Sequence, residues 1–398
     1  WRLLSRGKAV PIPTDKPSLA VVYFENISGD PALDDWITGL PELIITDLSQ
    51  SRFLNVIGGD RIYGILKKLN LLEARKYSAD DLAKVAREGG VQNVLSGSIM
   101  KAGPKIIITA RLQKPATGEV VETKKIECSG EEDIPAKVDE LTRMTKSDLN
   151  LTPRQIAGDI DKSVGQITTN SPEALRYYVE ARKLHLAMSY LEAIPLYEKA
   201  VALDPGFAMA YRGMSAVYSN RSYLQKAREY LQKALEFSDR ISDRERLLIL
   251  GRSYYQSEKT YAKAIETYEQ LLRLYPDENI ALNGLGIIYG SLEELNKAEV
   301  YYAKCYEIQK DVLNCDNLAA NYQAQGRYDK AQQIFEDFIR TVSDNARIHV
   351  YLGRNALLQA RYEEAMNEVD KAFLLSPSFM ETYSLKGDIY YLQGQFAA

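Results

Sequence analysis

The sequence predicts an α+β amino-terminal domain, a mixed sheet with helices, followed by an all-α solenoid. Two observations carry this. Segments rich in β-branched residues, punctuated by hairpin turns, fill residues 1–150, and a frame of small and aromatic residues recurs about every 34 residues through the remainder.

In the first half, residues 18–24 (SLAVVYF) read as a buried strand, with further strands at 53–58, 91–100, 105–113 and 119–129. Ala102-Gly103-Pro104 and Thr117-Gly118 mark hairpin turns. Helices are expected at about 41–50, 60–69, 79–89 and 134–149, the last with Ile134, Val138, Leu141, Thr145 and Leu149 on one face. Hairpin strands beside helices specify a sheet with an antiparallel portion.

The stretch ENISGDPALDD (25–35) follows a strand and precedes a helix, as a phosphate cradle would. A Walker-type cradle needs G-x-x-x-x-G-K-[ST], and this stretch has one glycine, no lysine and the repelling carboxylates Asp30, Asp34 and Asp35. It reads as a turn formed by Asn26, Ser28, Gly29 and Asp30, with Pro41 near a helix start.

In the second half Ala193, Ala227, Ala264, Ala298, Ala331 and Ala365 are spaced by 34, 37, 34, 33 and 34 residues. Four residues after each stands Tyr197, Leu231, Tyr268, Tyr302, Phe335 or Val369. About twelve residues before each stands a small residue: Ala181, Ser215, Gly251, Gly286, Ala319 or Gly353, and once more Gly387. Small residues at these offsets let two antiparallel helices approach closely, and each pair buries its remaining apolar face on the next. The 37-residue step holds three extra residues. Ser242 with Glu245 reads there as a capping box restarting a helix after lengthened loops.

This small-8, Ala-20, aromatic-24, Pro-32 pattern resembles the tetratricopeptide repeat over about residues 171–398: six repeats and the beginning of a seventh. The resemblance implies a superhelical solenoid that binds protein or peptide segments along a concave face. SLAVVYFENISGDPALDDWITGL followed by VQNVLSGSIMKAGPKIIITARLQKPATGEVV resembles the TolB amino-terminal-like domain, over roughly residues 17–150. Proteins with this order of parts are often tethered to a bacterial membrane beside a Ser/Thr kinase, nucleotide cyclase or winged-helix domain. On that basis residues 1–16 are expected to be a juxtamembrane linker and 151–170 a connection. The sequence is expected to be a fragment of a signalling protein, with its interaction region on the extracytoplasmic side of the inner membrane. Arg2, Arg6 and Lys8 near the presumed junction argue for the cytoplasmic side instead.

Composition narrows the function. Of 50 basic and 54 acidic residues, 21 of each lie in residues 1–150, leaving 29 and 33 in the remainder. Neither part has the basic excess of a nucleic-acid binder. NGLGIIYG (283–290) contains G-x-G, but Gly286 occupies the small-residue column and no strand precedes it. His185 and His349 have no His or Cys partner at metal-ligand spacing, and no G-x-S-x-G or kinase motif occurs. No catalytic site, metal site or cofactor is expected. Cys128, Cys305 and Cys315 cannot form a disulfide framework. A Cys305–Cys315 bridge in an oxidising compartment is the alternative to two buried thiols.

In tetratricopeptide proteins, positions 2, 5, 9 and 12 of each first helix line the concave face. The resemblance therefore implies a partner-binding face made of Arg212, Asn220 (beside position 12), Leu248, Arg252, Tyr255, Asn283, Ile287, Asp316, Gln323, Arg347, Val350, Arg354 and Leu357. Any one of these also suits an ordinary solvated helix. The Lys/Asn pattern that holds a carboxy-terminal carboxylate is absent, since Arg212 and Ala216 stand at positions 5 and 9 of repeat 2. A face with Arg252, Arg347 and Arg354 beside Tyr and Leu suits acidic or amphipathic segments. The expected function is thus a protein-interaction scaffold. The alternatives are the regulatory region of a Ser/Thr kinase whose catalytic domain lies elsewhere, and a self-assembling structural protein.

Overall fold

The computed structural model describes residues 16–74, 76–159, 162–187 and 189–395; of the expected linker over 1–16, all but Lys16 lies outside the described residues. The chain divides into two compact units, Trp1–Ile249 and Leu250–Ala398.

In the first unit, β1 (Ser18–Val21), β2 (Glu25–Asn26), β3 (Asn55–Val56), β4 (Asn93–Ala102), β5 (Lys105–Lys114) and β6 (Glu119–Cys128) form one mixed sheet. Its order is β3-β1-β4-β5-β6, with β2 also on β4. The pairs β1–β3, β1–β4 and β2–β4 are parallel, and β4–β5 and β5–β6 are antiparallel. Parallel pairing needs crossovers. These run through α1 (Trp36–Leu48), α2 (Gly59–Lys68) and α3 (Ala79–Gly89). The β4–β5 hairpin turns at Gly103, whose φ of +62° suits a II′-type turn. Ile106, Ile108, Ala110 and Leu112 alternate inward on β5. They join Ile126 of β6, Trp36, Leu40 and Ile44 of α1, and Val138 and Leu141 of α4 (Ile134–Asp148) in one core. Burying each large side chain there contributes about 1.5–3 kcal/mol.

Three boundaries differ most from expectation, and the first is the strand read at 18–24, which ends at Val21. The strand at 53–58 contracts to Asn55–Val56. The first helix starts at Trp36 rather than near Pro41, so Pro41 lies inside it. Proline cannot donate to the carbonyl four residues back, which is that of Ile37. The Phe24 backbone N–H donates to that carbonyl instead, at 3.0 Å, so the chain leaving β1 repairs the gap. The turn before α1 satisfies its own polar groups. Asn26 Nδ2 donates to Asp30 O at 2.9 Å and Asp34 Oδ1 at 2.8 Å, and Asp30 accepts from Ala32 N and pairs with Lys101.

The connecting stretch, α5 (Pro153–Gly158) and α6 (Val164–Ile167), is bound to the sheet domain. Gln50 Nε2 donates to Lys162 O at 2.8 Å, Arg52 Nη2 to Gly158 O at 2.9 Å, and Val164 N to Asp139 Oδ1 at 2.8 Å. Lys146 and Asp159 form an ion pair at 3.2 Å with both side chains buried.

Helices then follow in antiparallel pairs: α7 (Pro172–Leu186) with α8 (Tyr190–Leu203), and α9 (Ala208–Asn220) with α10 (Leu224–Glu236). After α11 (Asp243–Tyr255) and α12 (Tyr261–Leu274) come the pairs α13 (Asn279–Ser291) with α14 (Leu295–Ile308) and α15 (Val312–Ala324) with α16 (Tyr328–Thr341). The pair α17 (Ala346–Leu357) with α18 (Tyr362–Leu375) follows, then α19 (Met380–Leu392). The six key alanines and the six residues four after them are all buried. In repeat 2, Ser215 Oγ of the small column donates to the carbonyl of Ala227 at 2.7 Å. The three extra residues of repeat 3 are shared between the loops 237–242 and 256–260, each with a 3₁₀ turn, and Ser242 Oγ accepts from Glu245 N.

One register was invisible beforehand. The turn between paired helices places Ser222, Glu293, Gly326 and Ala360 in the left-handed region, at φ between +55° and +71°. The residue after each donates back into the helix, as Arg361 N does to Ala356 O at 3.0 Å. This is the Schellman geometry that glycine favours. Ala360→Gly is therefore expected to stabilise the second unit by about 0.5–1 kcal/mol, relief of left-handed strain exceeding the entropic cost of glycine. Urea unfolding of the variant measures it.

Candidate functional site

The positions implied by the resemblance divide between the two units. In the first unit, Arg212 of α9 lies 3.2 Å from the Glu245 carboxylate on α11. Asn220 is exposed, its Nδ2 3.4 Å from His185 Nε2 and 3.5 Å from the Tyr190 hydroxyl, and Leu248 is half-buried. The corresponding line of repeat 1 is taken up by the sheet domain. Arg182, at its position 9, pairs with Glu42 of α1 at 3.4 Å, both mostly buried. Arg176 faces Glu131, which also accepts from Trp36 Nε1 at 3.2 Å.

In the second unit, Arg252 is exposed, while Tyr255 and Ile287 are half-buried. From α13 to α17, polar side chains of successive first helices join across repeats. Asn317 Nδ2 donates to Asn283 Oδ1 at 2.9 Å, and Gln323 Nε2 to Asn355 Oδ1 at 3.1 Å. Between these rungs lies Asp316. Burial pushes its carboxyl above the ordinary carboxylate range, although a hydrogen bond from Tyr351 and the charges of Arg354 and Arg347 pull the other way. Arg347 is exposed, lies over the Phe379 ring at 5.3 Å and reaches Glu381 at 3.7 Å. Arg354 is exposed on the same helix, and Leu357 is half-buried against the adjoining core.

Val350 is a correction. It is 1% exposed and packed with Ala365, Val369 and Leu385, so it belongs to the core and presents nothing to a partner. Position 5 projects between the helices here, where an apolar side chain gains more from burial than from the surface. Tyr351 and Asn317 were missed because the four-position rule skips them; Asn355, which accepts from Gln323, is buried behind them. The recurrence of carboxamides along the first helices was the available signal.

The arrangement is suited to recognition. The half-buried carboxamides of Asn283, Asn317 and Gln323 each spend one atom on a neighbour and keep others for a peptide backbone, whereas Asn355 is buried and its Nδ2 donates to Tyr328 O. Among the described residues, no group of three or more His, Cys, Asp and Glu is placed to hold a metal ion. Cys128, Cys305 and Cys315 are free and buried, and burial pushes each thiol up to about 12. Cys305 points at Asn279 O and Cys315 at Ile334 O, so the two are not bridged. Among the described residues, no helix is long and apolar enough to cross a membrane.

Comparison with known proteins agrees with the helix pairs. The tetratricopeptide repeat model matches residues 249–309 and 317–378, and these segments are tetratricopeptide repeats, which mediate protein–protein interaction and scaffolding. The chain is 35% identical over 205 residues to "Putative adenylate cyclase 3" of Rhizobium meliloti (strain 1021), covering 50% of this chain and 32% of that protein. It therefore spans only a minor part of that relative's length. Among solved structures, the APC/C hetero-tetramer Cut9–Hcn1 aligns with 17% identity and a TM-score of 0.45, over 55% of this chain and 42% of that one. A tetratricopeptide repeat protein from Parabacteroides merdae aligns with 17% identity and a TM-score of 0.43, over 64% of this chain and 91% of that one.

Proposed function

We propose that this chain is a non-catalytic interaction scaffold whose first helices in repeats 4–6 bind an extended segment of a partner protein. The observation that carries this is the pair of cross-repeat hydrogen bonds, Asn283–Asn317 and Gln323–Asn355, on successive first helices. The exposed guanidinium groups of Arg347 and Arg354 lie beside it. The carboxamides of Asn283, Asn317 and Gln323 offer hydrogen bonds to a main chain, and the arginines attract acidic side chains of the partner. The remaining face positions, from Arg252 and Tyr255 through Ile287 to Leu357, supply shape. The test is capture of partners from the source cell on immobilised chain. Arg347→Gln with Arg354→Gln should lower recovery of the specific partner about tenfold or more, with the far-ultraviolet circular dichroism unchanged. Equal recovery overturns the reading.

A second reading concerns the longer protein. Similarity to the adenylate cyclase relative supports a scaffold that regulates a nucleotide cyclase domain, in preference to a Ser/Thr kinase. The resemblance of residues 17–150 to the TolB amino-terminal-like domain supports placement at the extracytoplasmic face of the inner membrane. The intact mass of the gene product and cyclase activity with and without residues 171–398 test the first point. Protease accessibility in spheroplasts tests the second. A soluble product of this chain's own mass would leave a free-standing adaptor. Concentration-dependent sedimentation would instead favour self-assembly.

A further inference from the structure

His349 is buried on α17, facing away from solvent, and has carboxylates on both ring nitrogens. Its Nε2 lies 2.7 Å from Asp344 Oδ1, in the loop that enters α17, and its Nδ1 lies 2.5 Å from Glu368 Oε2 on α18. An ionised carboxylate only accepts, so both ring nitrogens donate, and the ring is an imidazolium. The other charges nearby are engaged elsewhere. Lys371 sits behind Glu368 at 2.7 Å, and Arg347 of the same helix turns to Phe379 and Glu381. On α16, Asp337 is committed to Lys310, Arg340 and Tyr306. Among the described residues, no further charged group is paired with this ring.

We propose that repeat 6 is a protonation-dependent clamp: charged His349, donating to Asp344 and Glu368 together, locks α17 and its entry loop onto α18, and loss of the proton releases the helix that carries Tyr351 and Arg354. The inference concerns regulation of the proposed partner-binding face and rests on that reading only for its consequence; the clamp itself stands on the ring and its two carboxylates.

The sign follows from the direction of the shift. The hydrogen bond to Glu368 raises the His349 pKa above its ordinary 6.5; burial opposes this, and the bond to Asp344 and the charges of both carboxylates add to it. A neutral ring keeps one N–H and loses one of the two bonds. The clamp's contribution is therefore complete below 6.5 and is lost as pH rises through the higher folded value. Within that window, openings of repeat 6 that free the ring should become about tenfold more frequent per pH unit.

The chain has two histidines, so His185→Gln identifies the His349 ring signal in a ¹³C-histidine nuclear magnetic resonance titration. We expect its midpoint above 6.5. Hydrogen exchange, corrected for intrinsic rates, should show protection of residues 346–375 falling through that midpoint while residues 279–308 hold theirs. His349→Gln, which keeps polarity and loses the charge, should abolish the step. A midpoint at or below 6.5, unchanged protection across it, or the same step in His349→Gln overturns the clamp. If the wild-type step occurs and the arginine variant above still captures its partner, the clamp is supported and the partner-face reading fails.

Discussion

Replacing Lys146 by alanine will destabilise the first unit by about 3–5 kcal/mol, because it leaves the Asp159 carboxylate buried and unpaired. The side chains of Lys146 and Asp159 are 1% and 0% exposed and lie 3.2 Å apart, at the junction between the last turn of α4 and the end of α5. The double change Lys146→Met with Asp159→Leu should restore most of the loss, since exchanging a whole buried pair for apolar side chains is often neutral or favourable. Trp36, 1% exposed in the core of this unit, provides the fluorescence signal, with Trp1→Phe as background. A single-variant cost below about 1 kcal/mol, the range of exposed pairs, would show that the pair is solvated.

In the second unit the largest effect is expected at Tyr268. Its ring lies between two glycines. A Cβ built on Gly251 would stand 2.3 Å from Tyr268 Cε1, and one on Gly284 would stand 2.6 Å from Cε2. The ring therefore cannot retreat from either side. Gly251→Ala or Gly284→Ala should cost about 1–3 kcal/mol through overpacking. Tyr268→Ala should cost about 3–5 kcal/mol through the cavity it leaves. Gly251→Ala combined with Tyr268→Leu should be less damaging than the sum of the two changes, because the smaller side chain yields the space. Chemical denaturation of Gly251→Ala, Tyr268→Leu and their combination against the unaltered chain measures the coupling; strict additivity would mean that ring and glycine do not touch. The same close approach recurs in repeat 4, where a Cβ on Gly286 would stand 2.5 Å from Tyr302 Cε1.

The sequence by itself determined the helix-pair repeat, its frame and the residues that seal it. A small residue, an alanine and a large apolar residue at constant offsets have one economical packing solution, and that solution is local to each pair. It also determined the mixed character of the amino-terminal sheet, since β-branched runs and hairpin turns are short-range signals. The tertiary structure alone decided what depends on neighbours distant in sequence. Pro41 sits inside α1 because Phe24 supplies the hydrogen bond that proline cannot. Ser222, Glu293 and Ala360 occupy left-handed turns because the helices on either side over-determine the backbone. Arg182 is lost to the open face because Glu42 reaches it, and Val350 because its position points into the core. Tyr351 meets Asp316, and His349 finds two carboxylates, only once successive helices are stacked. Offsets along one helix are written in the chain, whereas a polar side chain's partner is set by which helix lies next to it.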